Sequence, residues 1–457
     1  MDSRRVLVVG RGAAGQALAQ DLRGRGGTVV GFLDDRATGD DVLGTLGSVN
    51  SVVAEHSVDA VYFAIPSVDA TTVRSFINTI DASHVEIAII PRTYQILTKE
   101  TVDIDDLTDV DVLDLVGRQP VKHDLVSSTE FIRGKRILVT GAAGSIGSRL
   151  VTQLAAMSPE LLVCVDWWEN GMFFLGQQLE GVDRVRLRVA DVKNSVLMEQ
   201  LFDEYRPQVV FHAAAYKHVP LMQNNPVEAI NNNVGGTLNV LNLSARHGVE
   251  NVVYVSTDKA VNPVNVMGAT KRIGELLMES IASESPHTRF NAVRFGNVIQ
   301  SNGSVMQIFR GQIARKAPLT VTHADVTRFF MTIDEASQLI IQSAVIGREN
   351  EIFVLDMGEP VKILDLARSL VRAVNPSLKI EITGLRPGEK MYEELSYEPD
   401  KVERTANSKI FTLRERGGAE STKTVAGALE LLKRAQSYSL SNEVAIESLR
   451  GLGFAVQ

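Results

Sequence analysis

Residues 134–154, GKRILVTGAAGSIGSRLVTQL, decide the fold of this chain. A short run of apolar residues leads into a glycine-rich turn, and the turn leads into an amphipathic helix. Residues 4–22, RRVLVVGRGAAGQALAQDL, show the same order of features. Short apolar strands that alternate with helices are typical of parallel sheets buried on both faces. The sequence therefore predicts an α/β protein with two Rossmann-like domains, each built on a doubly wound parallel sheet.

The first predicted domain comprises residues 1–117 and binds, or derives from a domain that bound, a nucleotide. After its opening strand we expect further strands over residues 28–32, 60–65 and 86–90. Residues 118–134 are predicted to form a linker to the second domain.

The second predicted domain comprises residues 135–417 and carries the chemistry. Its further strands are expected over residues 161–165, 185–189, 209–212, 252–256 and 291–294. We expect a cofactor-binding core over about 135–296 and a smaller substrate-binding subdomain mainly over 297–417, where Pro and Gly interrupt the pattern. Residues 418–457 are predicted to form terminal helices.

Composition excludes several classes of protein. The net charge of -8 over 457 residues disfavours nucleic acid as a partner, because phosphate binding needs clustered Lys and Arg. A single cysteine, Cys164, excludes an intrachain disulfide and suits a reducing compartment. The eight His residues lack the paired spacing of a zinc site, so no metal is expected. The sequence shows neither a signal peptide nor an apolar run of membrane-spanning length, so we expect a cytoplasmic chain without a transmembrane segment.

The glycine-rich turn of the second domain is the predicted cofactor site. Gly141, Gly144 and Gly147 follow a strand and open a helix. Without side chains, they allow a tight turn and the close approach of a pyrophosphate to the positive end of the helix. Ser145 and Ile146, between the last two glycines, belong to the same predicted site.

Asp166, at the end of the next strand, indicates the type of dinucleotide. Its carboxylate can accept hydrogen bonds from an adenosine ribose and would repel a 2'-phosphate. Trp167 and Trp168 follow it, instead of the Arg that accommodates NADP, so NAD is favoured. Asp191 ends the third strand and is expected to reach the adenine amino group, with an exposed turn residue as the alternative. The predicted NAD site also includes Val192, Ala213 and Ala214.

Residues 252–275, VVYVSTDKAVNPVNVMGATKRIGE, contain the predicted chemical site. A strand delivers Thr257, Asp258 and Lys259 to its carboxyl end, where such sheets bind ligands, and Lys271 follows on a helix. An adjacent Lys and Asp in a closed pocket can have pKa values moved toward neutrality, which suits acid and base catalysis. The alternative is a solvated loop with an ion pair.

These motifs resemble those of the bacterial UDP-N-acetylglucosamine 4,6-dehydratases, in the large, Met-containing polysaccharide-biosynthesis subgroup of the extended short-chain dehydrogenases. The larger members carry a leading nucleotide-binding-like domain, usually after membrane helices, which we do not expect here. The resemblance spans nearly the whole chain. It rests on residues 134–148, 211–222, 225–237, 256–272, 294–305, 318–332 and 386–395.

The resemblance implies a closed redox cycle on a UDP-hexosamine with tightly bound NAD. The C4 hydroxyl is oxidised, water is lost across C5 and C6, and the hydride returns to C6 to leave a 4-keto-6-deoxy sugar. By analogy Asp258 protonates the departing C6 oxygen, Lys259 takes the C5 proton and Thr257 hydrogen-bonds O4. Lys271 would hold the nicotinamide ribose.

Met267 departs from the pattern of most short-chain enzymes, which have a Tyr four residues before the Lys. A thioether cannot exchange protons, so the destination of the first proton is open. The resemblance associates Met at this position with retained C5 configuration, and it therefore implies a product of the xylo type.

The remaining expected contacts concern the sugar nucleotide. Lys217 and His218 follow a strand end, where we expect them to contact a diphosphate or a sugar. In the family-like pattern further residues lie around the nucleotide, and they are Asn297, Arg328, Arg386 and Glu389. We also expect a homo-oligomer, because short-chain enzymes commonly pair through helices beside the active site.

Two alternatives are retained. A hexosamine 4-epimerase of the same superfamily would share the glycines, Asp166 and Lys271, but would normally have the Tyr and lack the Asp-Lys pair. A non-catalytic nucleotide sensor is compatible with a second glycine set, which consists of Gly10, Gly12 and Gly15 followed by Asp34 and Asp35. For that first domain the hypothesis is a regulatory or vestigial nucleotide-binding role.

Overall fold

The computed structural model describes residues 4–81, 85–91, 104–110, 112–116, 125–299, 301–348, 350–396, 402–413 and 419–457. The chain divides into two compact units. The first unit comprises residues 1–121, 305–327 and 361–384, and the second comprises residues 122–304, 328–360 and 385–457. Each unit has its own sheet and core.

The first unit is built on a sheet that has six strands within the described residues. Its strand order is Val42–Gly44, Thr28–Leu33, Arg5–Val9, Ala60–Phe63, Glu86–Ile89 and Thr108–Asp109. All neighbours are parallel except the last pair. The strands predicted over residues 28–32, 60–65 and 86–90 are confirmed within two residues. The helices of this part are Ala13–Gly24, Val49–Glu55, Ala70–Thr79 and Val112–Val116.

Two later segments of the chain also belong to the first unit. They contain the helices Val305–Ala314 and Ile363–Val374 and the strands Leu319–Val321, Val361–Lys362 and Ile380–Ile382. Ser369 on the second of these helices donates a hydrogen bond of 3.4 Å to Asn78 Oδ1. The predicted substrate subdomain, residues 297–417, is thus shared between the two units, and its bounds stay a prediction.

The second unit is built on a larger sheet, which has nine strands within the described residues. Its order is Val402–Arg404, Ile410–Leu413, Glu351–Leu355, Arg289–Arg294, Asn251–Val255, Val209–His212, Arg136–Thr140, Leu161–Asp166 and Val185–Val189. The first two strands are antiparallel to their neighbours, and the other neighbouring pairs are parallel. The strands predicted between residues 161 and 294 are confirmed within two residues, so the doubly wound α/β fold is confirmed.

Successive residues of the central strands alternate between two cores. Leu138 belongs to one buried cluster, and its neighbours Ile137 and Val139 belong to the other. This two-residue period buries both faces of the sheet beneath helices. Cys164 is fully buried in the second cluster. The helices of this unit are Leu125–Ile132, Ser145–Ala156, Glu169–Gln178, Ser195–Tyr205, Val219–Asn224, Pro226–Ala229, Thr237–Arg246, Val266–Glu284, Ile333–Ile346, Ala419–Gln436 and Asn442–Gly451.

Part of the predicted linker, residues 118–134, is helical. Residues 118–124 lie outside the described residues, whereas Leu125–Ile132 form a helix. Ile132 is fully buried in the core, and Ser128 accepts a hydrogen bond of 2.9 Å from Gln342. The linker prediction is wrong for this helix, because its apolar and small residues pack against the helix Ile333–Ile346. The described residues from 419 onward contain the helices Ala419–Gln436 and Asn442–Gly451. Nowhere in the described ranges is there a helix that is both long enough and apolar enough to cross a membrane.

Candidate active site

The glycine turn of the second unit leaves no room for side chains. Gly141 has φ +68°, and a Cβ atom there would lie 2.6 Å from the backbone nitrogen of Ala214. A Cβ atom on Gly147 would lie 1.9 Å from the carbonyl oxygen of Gly141. The helix Ser145–Ala156 begins directly after Gly144. The turn therefore forms an open backbone cradle at a helix N-terminus, as a pyrophosphate requires.

Asp166 lies against this turn. Its Oδ2 accepts a hydrogen bond of 2.9 Å from the backbone N–H of Ala143, and its Oδ1 accepts one of 3.0 Å from Trp168. A carboxylate has about four lone-pair sites, so each oxygen can accept a further bond from a ribose hydroxyl. Ser145 accepts a hydrogen bond of 3.0 Å from the backbone of Asn302, and Ile146 packs against the core.

The other predicted cofactor residues lie at neighbouring strand ends. Asp191 accepts a hydrogen bond of 2.9 Å from the backbone of Lys193, and Val192 is buried. The backbone N–H of Ala213 donates a hydrogen bond of 3.1 Å to the carbonyl oxygen of Thr140, which continues the pairing of the two strands. The glycine cradle, the carboxylate of Asp166 and these strand ends together fit a dinucleotide.

The predicted catalytic residues are adjacent and partly buried. Thr257 Oγ1 donates a hydrogen bond of 2.8 Å to Asp258 Oδ1. Lys259 Nζ lies 3.0 Å from the same oxygen and 3.5 Å from Asn297 Oδ1. The side chain of Asp258 is fully buried and that of Lys259 is 18% exposed. A short helical turn, Asp258–Ala260, at the end of the strand Asn251–Val255 produces this arrangement.

The electrostatic environment favours a proton on both members of the pair. Burial raises the pKa of Asp258, Lys259 opposes this rise, and Glu393 adds to it. Burial alone would lower the pKa of Lys259, but Asp258 and Glu393 raise it above its ordinary value. The solvated loop considered as an alternative is excluded by the burial of Asp258.

Lys271 occupies a different environment one helical turn after Met267. Its Nζ lies 4.0 Å from the centre of the Tyr254 ring, and the residue is 5% exposed. Among the described residues no carboxylate lies within ion-pair distance of it. Burial therefore lowers its pKa to about 7, although Glu275 partly opposes the effect. Met267 is buried and offers no exchangeable proton.

A buried ion-pair network supports the catalytic strand and was not predicted from the sequence. Arg294 donates two hydrogen bonds to Glu275, of 2.8 and 2.7 Å, and both side chains are fully buried. Ser256, which precedes Thr257, donates a further bond of 2.7 Å to Glu275. The network thereby joins the strand end to the helix that carries Lys271. In the sequence, the only signal of this network was that Glu275 and Arg294 each stand among apolar residues.

Asn233 is a second residue that the sequence reasoning missed. It lies in a π-helical turn, Ile230–Gly236, of the kind that often marks functional sites. Its amide nitrogen donates 3.0 Å hydrogen bonds to Thr270 and to the carbonyl of Tyr216. It therefore fixes the loop that carries Ala213 and Ala214. The three consecutive Asn residues in an otherwise apolar helix were the signal that could have revealed it.

Several predicted substrate residues are brought together. Arg328 Nη2 donates a hydrogen bond of 2.9 Å to Glu389 Oε1. Arg328 Nε also lies 3.6 Å from Glu393, which contacts Lys259 at 3.4 Å. Arg328, Glu389, Lys259 and Asn297 therefore form one cluster, and Glu393 is an unpredicted member of it.

Two other predicted substrate residues, Lys217 and His218, stay apart from this cluster. Lys217 and His218 are exposed at the start of the helix Val219–Asn224. In the described parts of the chain, no hydrogen bond or ion pair joins them to Asp258 or Lys259. Arg386 is exposed, and its backbone N–H donates to Glu389 at 3.2 Å. Over the same described parts, no group of three metal-ligating side chains comes together.

The first unit has a similar fingerprint of its own. Gly10 has φ +97°, and a Cβ atom on Gly15 would lie 1.8 Å from the carbonyl oxygen of Gly10. Gly12 precedes the helix Ala13–Gly24. Asp34 Oδ2 accepts a hydrogen bond of 2.7 Å from the backbone of the turn, as Asp166 does in the second unit. Asp35 accepts one of 2.9 Å from Leu46.

Comparison with known proteins agrees with this geometry. A family model described as polysaccharide biosynthesis protein matches residues 137–415, and one described as CoA-binding domain matches residues 1–91. The probable polysaccharide biosynthesis protein EpsC of Bacillus subtilis is 41% identical over 410 residues, which cover 86% of this chain and 68% of that protein.

Relatives with more specific names match a shorter part of the chain. The UDP-N-acetylglucosamine 4,6-dehydratase (inverting) of Campylobacter jejuni is 33% identical over 265 residues. The UDP-glucose 4-epimerase of Rickettsia bellii is 33% identical over 273 residues. Each match covers 57% of this chain and 77% of the relative. The chain is thus similar to dehydratases and to epimerases.

Solved structures support the same fold. Pen from Bacillus thuringiensis is 32% identical with a TM-score of 0.59, covering 62% of this chain and 90% of that one. DesIV, a dTDP-glucose 4,6-dehydratase from Streptomyces venezuelae solved with NAD and TYD bound, has a TM-score of 0.53 at 21% identity. That match covers 57% of this chain and 88% of DesIV, and it shows the fold alone.

Proposed function

Because this chain belongs to the polysaccharide biosynthesis protein family, we propose that it is a UDP-N-acetylglucosamine 4,6-dehydratase. It is an enzyme of the extended short-chain dehydrogenase type, in the group of sugar-nucleotide dehydratases and epimerases. The proposed product is a UDP-2-acetamido-2,6-dideoxy-4-keto-hexose of the xylo type. The more specific assignment, that the chain acts as a dehydratase on this sugar, rests on the chemistry of the site.

The buried pair of Asp258 and Lys259 supports elimination most directly. Loss of water across C5 and C6 needs an acid at the C6 oxygen and a base at C5. Two groups whose nitrogen and oxygen atoms are 3.0 Å apart can serve two adjacent carbon atoms. Epimerisation at C4 needs neither group, and it normally uses the Tyr that Met267 replaces here.

We propose NAD as the cofactor of this site. The cradle of Gly141, Gly144 and Gly147 would hold its pyrophosphate, and Asp166 would hold its adenosine ribose. Lys271 would contact the nicotinamide ribose. NAD bound there would supply the oxidant for C4 and the hydride for C6.

The chain's own residues divide the proton chemistry among them. In the proposal Asp258 carries a proton, which the rise of its pKa through burial favours, and donates it to the leaving C6 oxygen. Lys259 takes the proton from C5 and must be neutral when it does so. Thr257 hydrogen-bonds O4 of the sugar.

The nucleotide would be held by charged groups at the edge of the site. Arg328 and Arg386 suit a diphosphate, and Glu389 suits the diol of a ribose. Asn297 lies next to Lys259 and would contact the nucleotide in the proposal. Lys217 and His218, on their separate loop, would contact the diphosphate or the sugar.

Product analysis tests this proposal. The purified chain is incubated with UDP-N-acetylglucosamine in heavy water, with and without added NAD, and the product is examined by mass spectrometry and proton NMR. We expect loss of one water, a new C6 methyl signal and deuterium at C5. An unchanged mass with inverted C4 would establish the epimerase instead. Tight NAD binding without conversion of any sugar in a panel of nucleotide sugars would favour the sensor.

A further inference from the structure

Glu393 lies in segment 391–395, MYEEL. Its side chain is 3% exposed, whereas Tyr392 is 59% exposed and the side chain of Glu394 is 48% exposed. Moving a carboxylate out of water is costly unless it is paired. The position of Glu393 therefore depends on the charges that surround it.

Those charges belong to the proposed catalytic machinery. Glu393 Oε1 lies 3.4 Å from Lys259 Nζ and 3.6 Å from Arg328 Nε. Within the described residues its Oε2 is buried without a hydrogen-bond partner. Lys259 Nζ also lies 3.0 Å from Asp258 Oδ1, so two carboxyl groups flank its ammonium group.

In this arrangement Lys259 carries a proton that the proposed reaction requires it to lose. Asp258 must carry a proton and Lys259 must lack one when elimination begins. Asp258 and Glu393 raise the pKa of Lys259 above its ordinary value, so Lys259 carries its proton at rest. Asp258 cannot accept the proton of Lys259 while it holds its own. Glu393 is the other carboxylate within ion-pair distance of Lys259 in the described chain.

We propose that Glu393 is a positioning residue that receives the proton of Lys259 and thereby makes Lys259 the base for C5. One N–H bond of Lys259 breaks and one O–H bond of Glu393 forms, without transfer of electrons. Asp258 keeps its proton throughout this step. A bound sugar would exclude water and destabilise the ion pair relative to the neutral pair, which favours the transfer.

The proton exchange between Lys259 and Glu393 is reversed at the end of turnover. After Lys259 has returned its proton to C5, it is again a neutral amine, and Glu393 gives back the proton that it stored. This inference rests on the proposed function, because it assigns a role only if Lys259 acts on C5. It identifies a residue that acts through Lys259 rather than through contact with the sugar.

The first test compares Glu393→Gln with the wild type across pH, by the rate of C5 deuterium exchange with UDP-N-acetylglucosamine. In the variant, Lys259 can lose its proton only to solvent, so its rate should rise about tenfold per pH unit below the pKa of Lys259. We expect the wild type to lack this slope and to be about 100-fold faster at neutral pH. Glu394→Gln is the matched control, because Glu394 pairs with Lys390 at 2.8 Å and is half exposed.

The pH dependence separates this role from a purely structural one. A wild-type pH profile in Glu393→Gln would overturn the inference, whatever the absolute rate. Glu393→Asp restores a carboxylate and is expected to lack the slope, so a slope in both variants would also overturn it.

A second test needs no turnover. Acetic anhydride labelling of Lys259, followed by mass spectrometry, measures how readily this lysine loses its proton. Before sugar binds, the negative charge of Glu393 holds the proton on Lys259, so without sugar Lys259 should react at lower pH in Glu393→Gln than in the wild type. Equal reactivity would refute the inference. If the labelling is as expected but the wild type does not convert the sugar, the result contradicts the proposed function alone.

Discussion

Replacing Glu275 by Gln should destabilise the second unit strongly. The carboxylate of Glu275 accepts hydrogen bonds from Arg294, from Ser256 and, at 2.9 Å, from Arg272. An amide of the same shape cannot accept bonds on both of its end groups, and it leaves the fully buried guanidinium of Arg294 without a counter-charge. Breaking a buried pair in this way typically costs about 3–5 kcal/mol.

The pKa of Glu275 leads to a similar value for the stability that Glu275 contributes. Burial would raise it, but Arg294, Arg272 and Ser256 lower it from 4.5 to about 2. At about 1.4 kcal/mol per pKa unit, this difference corresponds to about 3 kcal/mol of stability. Because the pKa is lower in the folded state, that stability is present above pH 4.5 and is lost as the pH falls toward 2. The gap between wild type and variant should therefore narrow in acid.

Denaturant unfolding followed by tryptophan fluorescence measures this gap. The chain has two tryptophans, Trp167 and Trp168, and both belong to the second unit, so the signal reports the unit that carries Glu275. Glu284→Gln is the control, because Glu284 is an exposed residue at the end of the same helix and should change stability by less than about 0.5 kcal/mol. Equal unfolding free energies for both variants at pH 7 would refute the reasoning.

Two further predictions concern the cofactor site. Gly147→Ala should weaken NAD binding more than tenfold, because its Cβ atom would lie 1.9 Å from the carbonyl oxygen of Gly141. Calorimetry measures the affinity for NAD. Gly451→Ala is the control, since no atom lies within 4 Å of the Cβ position at Gly451. Lys271→Met should stabilise the protein by a few kcal/mol at pH 7, because burial lowers the pKa of Lys271 from 10.5 to about 7 and folding must then release its proton. The gain should shrink as the pH rises toward 10.5, since the unfolded chain then loses the same proton; a constant gain in unfolding free energy across pH would contradict this.

The site residues that could be predicted from motifs are those whose arrangement is determined by their neighbours in sequence. Asp258 and Lys259 are neighbours in sequence at the end of one strand, so their proximity at 3.0 Å follows from any fold that buries that strand. The glycine turn similarly determines its own backbone path. Glu393 was missed because segment 391–395 has two adjacent Glu residues, and only packing decides which of them is buried.

The sequence by itself determined the two parallel sheets, the glycine cradles and the Asp-Lys pair, because periodicity and turn chemistry act over a few residues. Tertiary structure alone decided that Leu125–Ile132 is a packed helix instead of a linker, because burial against Ile333–Ile346 outweighs its polar flanks. It also decided that residues 305–327 and 361–384 join the first unit. Apart from Asp258, the charges around Lys259 come from segments far apart in sequence, and no local pattern records which distant carboxylates meet in a core.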